Sequence, residues 1–155
     1  MNLTAQEIGQ HLTARGETLA VAESCTGGRL SSLLTQVSGA SGWYLGGITA
    51  YTRNSKQGLL RLSDEELQDG LISARCAEAM AKAIQRLTGS SWSLAVTGVA
   101  EGEVEGHEAL FAWMGLATPN GAVRSVEIRA KDYGREVNIE IVANRLLEIL
   151  CEEIM

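Results

Sequence analysis

At 155 residues, with 45% hydrophobic and 21% charged positions, the chain has the composition of a folded globular protein and room for a buried core, which excludes disordered and low-complexity classes. The formal net charge of −6 argues against a nucleic-acid partner, because neutralising phosphates takes clustered Lys and Arg. No apolar run approaches the roughly 20 residues that span a bilayer, and Met1-Asn2-Leu3-Thr4 lacks a basic region followed by an apolar core, so no membrane partner and a cytoplasmic location are expected.

No Pro/Ser-rich linker or charge block divides the chain, so residues 1–155 read as one domain. Thr4-Ala5-Gln6-Glu7 has the form of a capping box, and Ala5, Ile8 and Leu12 then share a helical face until Arg15-Gly16, which predicts a helix over 5–15. Thr18 to Glu23 is short and apolar, a strand, and the leucines of Arg29 to Val37 recur at helical spacing, with the helix opening near Gly27. Residues 24–28 form the turn between them. Free N–H groups at that helix start can hold an anion or a developing oxyanion.

After the loop Ser38-Gly39-Ala40-Ser41-Gly42, residues Trp43 to Thr52 are aromatic and β-branched and predict a second strand. Asn54 to Leu60 predicts a short helix and Ser63-Asp64-Glu65-Glu66 a second capping box. Ala74 to Leu87 predicts a longer helix capped by Leu71-Ile72-Ser73. Ser91 to Val99 is a third strand. Ala109 to Thr118 and Ala122 to Arg129 follow as an antiparallel pair around Pro119-Asn120-Gly121, whose Asn-Gly is a hairpin turn. From about Gly134, the stripe Val137, Ile141, Leu146, Ile149, Leu150 closes the chain on a helix. This order predicts an α/β fold with a mixed, mainly parallel sheet and helices on both faces.

Cys25, Cys76 and Cys151 are odd in number and widely spaced, which suits reduced thiols rather than disulfides. His11 and His107 are the only histidines, and without an H-x-x-H or H-E-x-x-H spacing no metal is expected. A Ser-His-Asp triad is disfavoured for the same reason: His11 falls in the first helix and His107 in an acidic loop. Ser24 at a strand end is a candidate nucleophile, although most such serines only cap a helix. Lys56 is the candidate base, since burial and the start of the short helix would lower its pKa; its plain reading is a solvated lysine. Cys25 is a second candidate nucleophile or a buried structural thiol. Thr97 ends the third strand at the edge where Ser24 ends the first, and can orient a proton or carbonyl there or simply close a strand.

Taken together, A-E-S-C-T-G-G at 22–28, Y-T-R-N-S-K at 51–56 and V-T-G-V-A at 96–100 resemble the CinA C-terminal domain family nearly end to end. Trp43-Tyr44, Gly47, Gly70-Leu71-Ile72-Ser73, Met80-Ala81 and Arg135 add to the likeness. The resemblance implies a three-layer α/β/α sandwich and an amidohydrolase that needs no cofactor. Its active members hydrolyse nicotinamide mononucleotide to nicotinate mononucleotide and ammonia. By the same resemblance, Ser24 is the nucleophile, Lys56 its activator and Thr97 a supporting hydroxyl. Cys25, Thr26, Gly27, Gly28, Tyr51, Gly98 and Arg135 would surround a small-molecule substrate, a pyridine mononucleotide or related amide. Family members commonly self-associate, so a homo-oligomer is expected, and longer members carry a further N-terminal domain.

This chain departs from the family pattern after Ala100. Where active members have a neutral glycine loop containing proline, residues 101–108 read E-G-E-V-E-G-H-E. Carboxylates within a Debye length of about 8 Å oppose a phosphate, so mononucleotide binding should suffer if the loop faces the pocket. Two further departures are Ala74 after Ser73 and Ile139 beyond Arg135, each in place of a polar residue. The rival expectation is a divergent relative that retains the fold but acts as a ligand-binding or interaction protein.

Overall fold

A computed structural model describes residues 2–155. In chain order the elements are α1 (Leu3–Arg15), β1 (Leu19–Glu23), α2 (Arg29–Thr35), β2 (Tyr44–Thr49), α3 (Arg53–Gly58), α4 (Ala74–Thr88), β3 (Trp92–Val99), β4 (Glu103–Val104), β5 (His107–Glu108), β6 (Phe111–Ala117), β7 (Val123–Arg129) and α5 (Arg135–Ile154). One five-stranded sheet has the order β2-β1-β3-β6-β7, and β4-β5 form a separate two-stranded hairpin. β1 pairs parallel with β2 and β3, whereas β6 is antiparallel to both β3 and β7. Only β6 therefore runs against the other strands of a mixed sheet.

Two apolar layers sandwich this sheet. On one face, Ile8 and Leu12 of α1, Leu30 and Leu34 of α2, and Leu146, Leu147 and Leu150 of α5 pack on Leu19, Val21, Leu94 and Met114. On the other, α4 presents Cys76, Met80 and Ile84 to Ala20, Ala22 and Ala95. The side chains of a strand alternate between faces, so β1 feeds Leu19 and Val21 to one layer and Ala20 and Ala22 to the other. Burial on both faces explains why its sequence is apolar throughout rather than alternating. Among the described residues no helix is long and apolar enough to cross a membrane.

The small residues facing α4 let the helix sit close. A Cβ added to Gly115 of β6 would lie 2.1 Å from the Ala77 carbonyl oxygen. Gly115→Ala must therefore push α4 off the sheet, and we expect it to cost about 1–3 kcal/mol, read as a lower urea midpoint. A midpoint equal to that of the unchanged protein would mean that this contact is not close.

Several boundaries differ from those read along the chain. α1 begins at Leu3 because Asn2 caps it by accepting from Ala5 N, which supplants the capping box at Thr4. β2 ends at Thr49, and Thr52 instead becomes the N-cap of α3 in a reciprocal capping box with Ser55. Ser63 and Glu66 do exchange the hydrogen bonds of a capping box, yet only turns follow, since Gly70 interrupts the segment in a left-handed conformation (φ 101°). The hairpin between β6 and β7 forms as expected, with Thr118 N bonded to Ala122 O. The β4-β5 hairpin is new: its two short, exposed, glutamate-rich strands carry no apolar period.

Candidate active site

The register of the sheet brings three segments to one edge. Glu23, the last residue of β1, pairs with Thr49 of β2 and with Val96 of β3. Ser24 and the Ala50–Lys56 segment thus leave the sheet at adjacent points, and Thr97, still within β3 and paired with Trp113, lies one residue beyond Val96 beside them. From β1 the chain goes to one neighbour, β2, and then returns past it to the other, β3. Such a reversal opens a crevice beyond the carboxyl ends of the strands.

Lys56 projects into this crevice. Its ammonium or amine Nζ donates to Ser24 Oγ at 2.8 Å and to the Ala50 carbonyl at 2.8 Å, and the residue is 1% exposed. Burial is the main cause that lowers its pKa below the ordinary 10.5, with Cys76, Cys25 and Glu105 acting weakly in the opposite direction. The helix dipole is not the cause, contrary to the reading from sequence. Lys56 lies in the last turn of the six-residue α3, where the dipole favours a cation. Ser24 is itself buried.

The turn after β1 is organised by a residue that sequence reading counted only as the end of a strand. Glu23 is fully buried, and its carboxylate accepts from Leu30 N (2.8 Å), Ser31 N (3.0 Å), Thr26 Oγ1 (2.6 Å) and Ser31 Oγ (3.0 Å). The helix-start amides expected to be open to an outside anion are therefore held by an internal one. The signal was available: a glutamate inside an otherwise apolar strand needs partners, and the following helix start supplies donors. Gly27 N and Arg29 N bond within the turn to Ser24 O and Thr26 O. Among the described residues, the amides of Cys25, Thr26 and Gly28 are left over. Gly28 adopts φ 104°, which requires glycine where the chain swings into α2.

A cavity of about 210 Å³ opens over Ser24 and Lys56. Cys25, Tyr51, Thr97, Gly98 and Arg135 line it, whereas Thr26, Gly27 and Gly28 do not; the Thr26 hydroxyl is turned back to Glu23. The Cys25 thiol is pushed up to about 12, chiefly by burial, which keeps it protonated. Thr97 Oγ1 donates to the Leu71 carbonyl at 2.7 Å, so it fastens the segment before α4 to the sheet. At the mouth, Arg135 Nη2 donates to the Tyr51 hydroxyl at 2.6 Å, and Nη1 lies 3.5 Å from Glu101 Oε2. Arg135 starts α5, and its position is set one turn on by buried Asn138, which donates to the Ala100 carbonyl at 2.8 Å.

The acidic segment 101–108 does reach this site. Glu101 and Val104 line the cavity, as do Leu71 and Ile72. Behind that wall, Glu105 accepts from Leu71 N (3.1 Å) and Ile72 N (2.9 Å). Glu103 and Glu108 face each other across the exposed β4-β5 pair, and the His107 ring stacks on Phe111 with centroids 4.5 Å apart.

Known proteins are similar to this chain in both sequence and fold. The family profile described as the CinA C-terminal domain matches residues 2–154. A CinA-like protein of Synechococcus elongatus is 40% identical over 155 residues, covering 97% of this chain but 37% of that relative. The chain thus spans well under half the length of such relatives. Among solved structures, a competence-damaged protein (CinA) superfamily protein from Klebsiella pneumoniae superposes with a TM-score of 0.93 at 25% identity, covering 99% of this chain and 98% of that one. A competence/damage inducible protein from Agrobacterium tumefaciens gives 0.89 at 29% identity, covering 96% and 92%. Agreement of profile, sequence and fold along nearly the whole chain establishes that it belongs to the CinA C-terminal domain family.

Proposed function

We propose that this domain is an amidohydrolase in which Ser24, activated by Lys56, cleaves a carboxamide. The observation that carries the reading is the 2.8 Å contact between Ser24 Oγ and a fully buried Lys56 Nζ at the floor of a cavity. Burial that lowers the amine's pKa enlarges its neutral population, whose lone pair is within reach of the serine proton. No histidine lines the cavity, so the lysine is the base at hand.

The chemistry then follows from the neighbours. Ser24 Oγ bonds to the carboxamide carbon as Lys56 takes its proton, and the carbonyl oxygen gains the negative charge. The Cys25 amide, beside the nucleophile, is the candidate donor to that oxyanion. Lys56 returns the proton to the leaving nitrogen and ammonia departs; water then attacks the acyl carbon with Lys56 again as base, the bond to Ser24 Oγ breaks, and Lys56 gives the proton back to that oxygen, leaving a carboxylic acid that ionises to the carboxylate. The Ala50 carbonyl holds Nζ in place throughout. Cys25 does not compete as nucleophile, because its thiol stays protonated.

Nicotinamide mononucleotide, the substrate implied by the family resemblance, is the first amide to test, with nicotinate mononucleotide and ammonia as products. Purified protein should release ammonia from a carboxamide, and Ser24→Ala should lower kcat roughly a thousandfold or more without unfolding the chain. Ammonia release unaffected by Ser24→Ala would sink the reading. A second reading, a binding domain without turnover, draws on Glu101 beside Arg135 at the mouth. It predicts a ligand-induced rise in Tm with no ammonia formed.

A further inference from the structure

We infer that the cavity selects carboxamides without a phosphate, because a carboxylate of the 101–108 segment already occupies the guanidinium that would receive one. The inference rests on the amidohydrolase reading for its substrate class, and on geometry alone for its charge preference. One element of the cavity wall is suited to an anion, the Arg135 guanidinium. It is engaged from within: Glu101 Oε2 lies 3.5 Å from Arg135 Nη1. Glu105, behind the wall, accepts from Leu71 N and Ile72 N at 3.1 and 2.9 Å.

The Glu105 contact, which anchors the 101–108 segment beside the cavity, is closely fitted. Glu105 adopts φ 53°, an uncommon conformation for a residue with a side chain, at the tip of the β4-β5 hairpin. Opposite it, a Cβ on Gly70 would lie 2.7 Å from Glu105 Oε1, so glycine there leaves room for the carboxylate. At the mouth, Glu101 offsets the positive charge of Arg135. An incoming phosphate would have to displace Glu101 from Arg135 and face its carboxylate within a Debye length of about 8 Å. A cationic pyridinium or a neutral amide meets no such opposition. The volume, about 210 Å³, also lies below the roughly 300–1,000 Å³ of ordinary small-molecule sites and suits a compact ligand.

Nicotinamide mononucleotide and nicotinamide riboside share one carboxamide and differ by the phosphate, so they isolate this preference. Calorimetric titration of the Ser24→Ala protein should give riboside binding at least about tenfold tighter than mononucleotide binding. Introducing Glu101→Gln into that protein should narrow the ratio by freeing Arg135, while Glu105→Gln, behind the wall, should not. Equal or tighter binding of the mononucleotide, a ratio unmoved by Glu101→Gln, or no binding of either compound would overturn the inference. Ammonia release by the unsubstituted protein is scored separately across neutral amides. Its absence rejects the amidohydrolase reading, while the titrations still decide the charge preference.

Discussion

Lys56→Met is expected to reduce carboxamide hydrolysis to background while leaving the fold intact. Methionine matches the buried stem but has no proton to exchange, so Ser24 loses its base, at a cost of roughly a thousandfold or more in kcat. The sign of the stability change is set by the depressed pKa of Lys56. Between its folded value and the ordinary 10.5, the unfolded chain binds more protons than the folded one, so stability rises with pH through that window. Below the folded value the penalty for a buried cation is fully present. Methionine removes this penalty together with the contacts to Ser24 and Ala50, so stability at neutral pH should fall by no more than about 1 kcal/mol or should rise. Denaturant midpoints should also lose the alkaline slope assigned to Lys56.

The rate should carry the same titration. With unsubstituted protein, kcat should climb with pH and level off at a midpoint below 10.5, as the buried amine loses its proton. Residual activity above a hundredth of the unsubstituted rate in Lys56→Met would remove Lys56 from the chemistry.

Glu23→Ala should be the most destabilising single change around the site. It deprives Leu30 N, Ser31 N and the hydroxyls of Thr26 and Ser31 of their acceptor in a buried position. The hydroxyls can turn to other partners, but the two amides cannot, so the loss should be about 3 kcal/mol and the fall in Tm on the order of 10 °C. Glu23→Gln should lie between, since its amide group retains the shape and one acceptor oxygen. Because the Glu23 carboxylate fixes the turn that carries Ser24, activity should fall in both variants even below their melting temperatures. A Glu23→Ala protein within about 0.5 kcal/mol of the original would mean that water takes over the carboxylate's role.

Much of the fold was legible along the chain because its signals are local. The alternation of short apolar strands with leucine-bearing helices announced a mixed sheet with helices on both faces, and Asn120-Gly121 announced the antiparallel hairpin. Capping was less legible. Thr4 and Thr52 both had the chemistry to cap, and only the path of the chain decided that Asn2 and Thr52 would do so. The β4-β5 hairpin escaped notice because glutamate and glycine carry neither strand propensity nor an apolar period.

Sequence by itself determined the family, the order of the main-sheet strands and the helices around them, and that Ser24, Lys56 and Thr97 belong to segments meeting at one end of the sheet. Those follow from motifs and from strand direction, which a linear pattern encodes. Only the tertiary structure decided that Lys56 is buried against Ser24 rather than solvated, that Glu23 is the anion at the start of α2, and that Glu101 and Glu105 hold Arg135 and the Leu71–Ile72 amides. Each of these is a contact between residues distant along the chain or turned back on it. Whether such a side chain meets water or a partner depends on what the folded sheet places opposite it.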